Sequence, residues 1–364
     1  MRGDDVFQDE LFSYGGLGER VPAKHPLRRI REFADVALAQ MSAELEGLYS
    51  KIGRPSIAPE QLLRALLLQM LYSVRSERML VEQLEYNLLF RWFVGLPLSE
   101  HAWSATSFSK NRERLLSGEV AQAFFAAVVA EARRHRLLDD EHFTVDGTLI
   151  EAWASLKSFR RKGEEASNRS DDDPGNPSVN FHGERRSNET HQSTTDPEAL
   201  LARKGKGKEA KLCYSANALA ENRNFLLVDF QVEPADGKAE RRAAEAMADE
   251  RLAGSGRITL AGDKGYDTHG FVASCRALKI TPHVAQNHAR PGGSALDART
   301  TRHPGYAVSQ WLRKRIEEGF GWMKTIGGLR KTRYRGRARV QWHAYLVAAA
   351  YNLLRIARLA PAPA

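Results

Sequence analysis

The hydrophobic period of this chain changes near residue 140, and that change limits what it can fold into. Before it, apolar residues recur at helical spacing: Ile30, Phe33, Val36, Ala37, Met41 and Leu45, then Leu62, Leu63, Leu66, Leu67, Met70 and Leu71, then Leu80, Val81 and Leu84. Ser104–Arg114 opens on capping residues, and Val120–Ala132 is again helical. From Glu141 to Ile150 the period falls to two, with Phe143 and Val145 opposite Thr144 and Asp146, which predicts a strand.

A strand pair follows at Lys211–Leu219 and Asn224–Val232, turning through Glu221 and Asn222. Then come a helix over Lys238–Ala253, a strand over Arg257–Ala261, a helix over His269–Lys279, a strand over Ile280–Ala285, and an apolar helix over Val340–Leu359. This order suits a mixed sheet flanked by helices. The expected fold is α+β: an all-helical domain, then a ribonuclease H-like sheet interrupted by a long polar insertion. The expected boundaries are a flexible arm over 1–25, a helical domain over 26–140, and a sheet domain over 141–360 carrying the insertion 157–209. That insertion, Lys157 to Glu209, contains SDDDPGNPS and RKGKGK and reads as a loop. The GKGK run lacks the Ser or Thr and the leading strand of a phosphate-binding P-loop.

Charge is unevenly placed. The 364 residues hold 54 Lys and Arg against 45 Asp and Glu, a net +9. Between Trp311 and Arg339 lie ten of the cations and two acids, and the run from Arg330 through Lys331, Arg333, Arg335 and Arg337 is basic throughout, with Tyr334 inside it. Such clustering is the footprint of a polyanion, so DNA is the expected partner. The helix pair Pro59–Tyr86 could read DNA through Arg75 and Arg78, or could serve packing or dimerisation. Gly53, Arg54 and Pro55 punctuate the chain ahead of it.

Cys213 and Cys275, far apart and without zinc spacing, read as buried small hydrophobes of a reducing cytoplasm. The acidic N-terminus is no signal peptide, and the longest apolar stretches, such as Leu62–Leu71, are interrupted and too short to span a bilayer. A cytoplasmic protein, nucleoid-associated when bound to DNA, is the expectation.

The chemistry gathers on three acids. Gln310–Lys324, QWLRKRIEEGFGWMK, reads as one helix in which Arg313, Glu317 and Lys324 fall within about 40° of each other. Leu312, Ile316, Phe320 and Met323 form an apolar stripe beside that face, and Glu318 points roughly 100° away from Glu317. Asp146 lies on the first strand and Asp263 follows the fourth in LAGDKGYD. Each acid alone has an ordinary explanation as a surface charge or turn former. Together, two strands and a helix could aim three carboxylates at divalent cations, which take oxygen ligands and act in pairs in phosphoryl transfer.

These residues carry a resemblance. TVDGTLIEAWAS around Asp146, LAGDKGYDTHGF around Asp263 and RKRIEEGFGWMKTIGGLRKTRYRG around Glu317 resemble the DDE transposases of bacterial insertion sequences, in particular the insertion-sequence-five group. Arg313, Glu317 and Lys324 fit that superfamily's signature of Arg, three residues, Glu, six residues, Lys; Gln310 stands where a Tyr usually opens it. The likeness extends upstream through LLLQMLYSVRSERMLVEQLEYNLLFRWFVGL and WSATSFSKNRERLL. It implies catalysis by Asp146, Asp263 and Glu317 with two Mg²⁺ ions, or Mn²⁺ in their place. It also implies cleavage at terminal inverted repeats and joining of the freed 3′-hydroxyl to target DNA. Arg313, Lys324 and the Arg330–Arg337 tract would contact DNA, with a homodimer assembled on it. A non-catalytic DNA-binding repressor and a nuclease that never joins strands stay open as alternatives.

Overall fold

The computed structural model describes residues 16–49, 56–116, 119–163, 186–205, 207–254 and 256–361. The punctuation at Gly53–Pro55, the SDDDPGNPS run and Lys206 of the GKGK run lie outside them, as does the arm before residue 16.

Eight helices come first: α1 (Leu17–Arg20), α2 (Pro26–Gln40), α3 (Ser42–Gly47), α4 (Pro59–Leu71), α5 (Glu77–Tyr86), α6 (Leu88–Val94), α7 (Ala105–Leu116) and α8 (Val120–Arg134). Their starts are written in local chemistry. Pro26 and Pro59 occupy first-turn positions that need no N–H donor. Ser76, Asn87 and Ser104 accept the backbone N–H of Met79, Phe90 and Ser107. Gly95, at φ +89°, ends α6 in the left-handed conformation. Leu17–Arg20, expected within an extended arm, forms a helical turn instead. It is held by the Arg28 guanidinium, which donates to the carbonyls of Gly18 and Val21.

The rest comprises β1 (His142–Glu151), β2 (Phe159–Arg161), β3 (His191–Ser193), β4 (Leu200–Ala202), β5 (Lys211–Glu221), β6 (Leu227–Pro234), α9 (Ala239–Leu252), β7 (Ile258–Gly262), α10 (His269–Ala277), β8 (Ile280–Val284), α11 (Ala298–Thr301), α12 (Pro304–Leu312), α13 (Ile316–Thr325) and α14 (Arg337–Leu359). The main sheet runs β6-β5-β1-β7-β8. Pairs β6–β5 and β5–β1 are antiparallel; β1–β7 and β7–β8 are parallel. This is the ribonuclease H-like order. Strand β4 extends the β6 edge, pairing with Lys211–Cys213 where β6 pairs with Tyr214–Ala220.

Two expectations are revised. The stretch expected as a loop over 157–209 is folded at both flanks: β2 pairs with β3, and β4 joins the main sheet. Polar side chains hold it, with the Ser158 and Ser193 hydroxyls 2.8 Å apart and the Tyr214 hydroxyl donating to Asp196 at 2.7 Å. Polar hydrogen bonds share the work there with the burial of Phe159 and Ala199, so its composition resembles a loop's. The signature stretch is also not one helix, because a 3₁₀ turn over Arg313–Arg315 separates α12 from α13. At three residues per turn it rotates Arg313 by roughly 60° relative to an unbroken helix. Glu317 and Lys324 keep a common face of α13, and Ile316, Phe320 and Met323 are buried while Leu312 is half-buried.

Helix α14 joins the two parts of the molecule. It packs against α8, α2 and α4 on one side and β6 on the other, within one contiguous apolar core. Gln341 and Asn352 dock it to β6: each accepts a backbone N–H, from Val232 and Leu227, and donates to a carbonyl, of Phe230 and Leu227. Among the described residues no single helix is long and apolar enough to cross a membrane. Both cysteines are buried, and burial pushes their thiols up, to about 11 for Cys213 and about 12 for Cys275.

His343 on α14 is buried, and burial, with Arg333 and Arg112 nearby, lowers its imidazole to about 3. The folded state therefore declines a proton that the unfolded chain accepts below pH ~6.5. This stability is present above pH ~6.5 and is lost as pH falls toward 3, by up to about 1.4 kcal/mol per unit. His343→Gln is expected to flatten that part of the profile in denaturant titrations across pH 4–7.

Candidate active site

Strand register places the first two acids together. The parallel β1–β7 ladder pairs His142 with Thr259, Phe143 with Leu260 and Thr144 with Ala261. Continued by two residues, it sets Asp146 beside Asp263, just past the end of β7. Asp146 is half-buried, and its carboxyl is pushed up to about 7. Burial is the main cause; the charges of Asp263 and Glu240 add to it, and the Gly147 N–H and Arg313 oppose it. Asp146 accepts that N–H at 2.8 Å, and Asp263 accepts the Gly265 N–H at 2.7 Å.

The signature segment runs alongside β1 in the same direction. Arg313 lies in the field of Asp146, the Lys324 ammonium donates to the Thr148 hydroxyl at 2.6 Å, and the Arg330 carbonyl accepts the Glu151 N–H at 3.1 Å. Glu317 sits between the first two of these anchors, exposed in the first turn of α13. Asp146 and Thr148 point to the α13 face of the sheet, since side chains alternate along a strand. Burial lowers the Lys324 ammonium, as do the charges of Lys204 and Arg330.

The residues expected on DNA divide into two groups. Arg330 and Arg335 are exposed, and Lys331 lies over the ring of Trp153, an indole 49% exposed. Among the described residues Arg313 donates through Nε alone, to Gln310 at 3.0 Å. Arg333 donates to the Val74 carbonyl at 3.3 Å, and Arg337 pairs with Glu233 at 3.4 Å. Arg330→Ala with Arg335→Ala is thus expected to weaken DNA binding uniformly and to reduce the salt slope by about one unit for each phosphate no longer engaged. Arg333→Ala is expected to act instead through stability. Binding titrations at several salt concentrations, beside unfolding curves, separate the two.

Sequence reasoning missed two residues near the acids. Glu240, on α9, and Tyr266, after β7, both lie in the field of Asp146 and Asp263. Tyr266 stands within the GDKGYD segment; nothing in the periodicity of α9 marks Glu240.

Among the described residues no three acid, His or Cys side chains converge closely enough to cage a metal ion. The donor chemistry nevertheless fits a hard divalent cation. Asp146, Asp263 and Glu240 act on one another, with Arg313 and Arg241 opposing only in part, and beside them, among the described residues, the buried Tyr266 hydroxyl has no hydrogen-bond partner. A divalent ion would offset the burial, and the neighbouring acid charges, that lift Asp146.

Comparison with known proteins accords with this geometry. Residues 16–114 match the family model described as a transposase domain (DUF772), and residues 137–353 match that of the transposase DDE domain. No curated protein matches the sequence. Among solved structures, a piggyBac transposase synaptic complex with hairpin DNA aligns at 10% identity over 92% of this chain and 75% of that one, with a TM-score of 0.41. A Mos1 transposase paired-end complex with left transposon end aligns at 12% identity over 83% and 80%, with a TM-score of 0.19. These structural likenesses are too distant to carry weight. The DDE-domain match, spanning more than half of the sequence, carries it: the chain belongs to the DDE transposases of insertion-sequence type.

Proposed function

We propose that this transposase cleaves DNA at the terminal inverted repeats of an insertion sequence and joins the freed ends to target DNA. Asp146, Asp263 and Glu317 would hold two divalent cations, Mg²⁺ or Mn²⁺. The observation that carries this reading is the parallel register that brings Asp146 beside Asp263, with the Glu317 helix running along the same strand. When bound, such a pair of ions supplies charge stabilisation to the attacking and leaving oxygens of an in-line displacement.

The chain's own side chains do the positioning. Arg313 and Lys324, before and after Glu317, are placed to orient the non-bridging oxygens of the scissile phosphate. Arg330, Lys331 and Arg335 follow the backbone beyond it. In the first step a water oxygen bonds to phosphorus and the bond to the 3′-oxygen breaks, leaving a 3′-hydroxyl on the element. In the second, that hydroxyl's oxygen bonds to a target phosphorus and releases a target 3′-hydroxyl.

The helical region 26–140 would recognise element ends or assemble a homodimer, because two ends must meet, while 141–360 performs the chemistry. Incubation of the purified full chain with labelled element ends and plasmid target, with and without Mg²⁺, tests this. The expected products are Mg²⁺-dependent 3′-hydroxyl ends and joined molecules. Cutting without joining would make the chain a nuclease, and binding without cutting a repressor.

A further inference from the structure

Glu240 is the second residue of α9, which packs on β1, β5 and β6. Its place depends on a glycine. β1 presents Gly147 between Asp146 and Thr148, on the face opposite α13, and a Cβ there would lie 2.5 Å from Glu240 Cγ, 2.8 Å from its Cδ and 2.8 Å from the Oδ1 of buried Asn217 on β5. The Glu240 side chain therefore occupies the space that any other residue at 147 would fill. β7 ends at Gly262 while β1 continues to Glu151, so beyond the last paired residues a side chain on the α9 face can approach the acids. Among the described residues no hydrogen bond or ion pair engages the Glu240 carboxylate.

A second observation comes from Tyr266. Its ring lies against Gly262, where a Cβ would sit 3.0 Å from its Cδ2, and 5.2 Å from the ring of Phe271. The residue is 1% exposed, and among the described residues its hydroxyl has no hydrogen-bond partner. The charges that act on that hydroxyl are those of Glu240, then Asp146, then Asp263, with Arg241 opposing them. A buried, unpartnered hydroxyl in the field of three carboxylates, one of them lying over a glycine, marks a place that a positive charge would suit. Favourable interaction with the α9 N-terminus is the simpler role for an acid in a first turn. That role would be met with the side chain in solvent, whereas the Glu240 side chain lies back over Gly147.

We propose that Glu240 is a further carboxylate of the divalent-cation site, approaching Asp146 and Asp263 from the opposite face of the sheet, with Tyr266 as the hydroxyl beside it. The proposal rests on the reading that Asp146 and Asp263 hold the cation. Mn²⁺ alone, titrated into the full chain and followed by electron paramagnetic resonance, tests it without reference to catalysis. Glu240→Gln is expected to weaken Mn²⁺ binding at least about tenfold, as is Asp146→Asn, whereas Glu318→Gln should bind as the unaltered chain does. Gly147→Ala, which displaces Glu240 but keeps its charge, should weaken binding too. Metal-free melting curves identify any variant that has failed to fold, and a folded chain of either kind, Glu240→Gln or Gly147→Ala, is enough to decide. If a folded Glu240→Gln or Gly147→Ala chain binds within about twofold of the unaltered protein while Asp146→Asn does not, Glu240 has no part in the site. If Asp146→Asn also binds normally, the cation reading itself fails, and this inference with it.

Discussion

Asp146→Ala, Asp263→Ala and Glu317→Ala are each expected to lower cleavage of element ends by at least about 10³-fold, because each removes an oxygen ligand whose role is confined to the reacting phosphate. DNA affinity should change little. The acids add repulsion toward phosphate rather than attraction, so gel-shift affinity in the absence of divalent ions should hold or rise slightly. Glu318→Ala is the control for helical register. Glu318 is exposed and turned from Glu317 by about 100°, so its loss should be mild. A dead Glu318→Ala chain beside an active Glu317→Ala chain would mean that α13 presents a different face.

Gly327→Ala is expected to destabilise the fold by about 2–4 kcal/mol, read as a lower denaturant midpoint at unchanged slope. A Cβ at 327 would lie 2.5 Å from Val347 Cγ1 and 2.9 Å from the Met323 carbonyl oxygen. Val347 is fully buried in α14, and the other obstacle is backbone, so neither can move aside at small cost. Gly328, at φ +78°, faces open space apart from the tip of Arg333, and Gly328→Ala should cost only about 1 kcal/mol through backbone strain. Similar destabilisation at both positions would show that α13 packs on α14 more loosely than the distances around Gly327 require.

Much of this was legible in the sequence because it is local. Helix periods, the alternation through Val145 and Asp146, proline at first turns and serine at caps are set by neighbours a few residues away. The acids stood out for a different reason: Asp146 lies on a strand and Asp263 just after one, and Glu317 and Lys324 recur at a spacing that a helix converts into a common face. What could not be read depends on distant partners. Arg333 and Arg335 look alike in a basic run, but only Arg333 meets the Val74 carbonyl, 259 residues earlier. The β2–β3 and β4 pairings leave no apolar period to read, because Ser158, Ser193, Asp196 and Tyr214 hold them through hydrogen bonds. The 3₁₀ turn at Arg313–Arg315 depends on what those residues meet: Arg315 lies 4.1 Å from the Phe225 ring centroid and Arg313 near Asp146. Glu240 is placed by the absence of a side chain at Gly147, nearly a hundred positions before it.

Helix α14 follows every other long described element in the chain, yet it supplies a wall of the core for α2, α4, α8 and β6. Arg29 on α2 donates to the carbonyls of Ala360 and Pro361 at 2.8 Å, tying the two ends of the described chain together. During synthesis the early helices can pack on one another, but the wall they share with β6 is missing until α14 emerges, so the core closes only then. A ribosome-bound nascent chain should remain protease-sensitive until residues near 350 have cleared the exit tunnel. Any message broken before α14 would then yield protein that is degraded rather than a fragment able to occupy the element's ends.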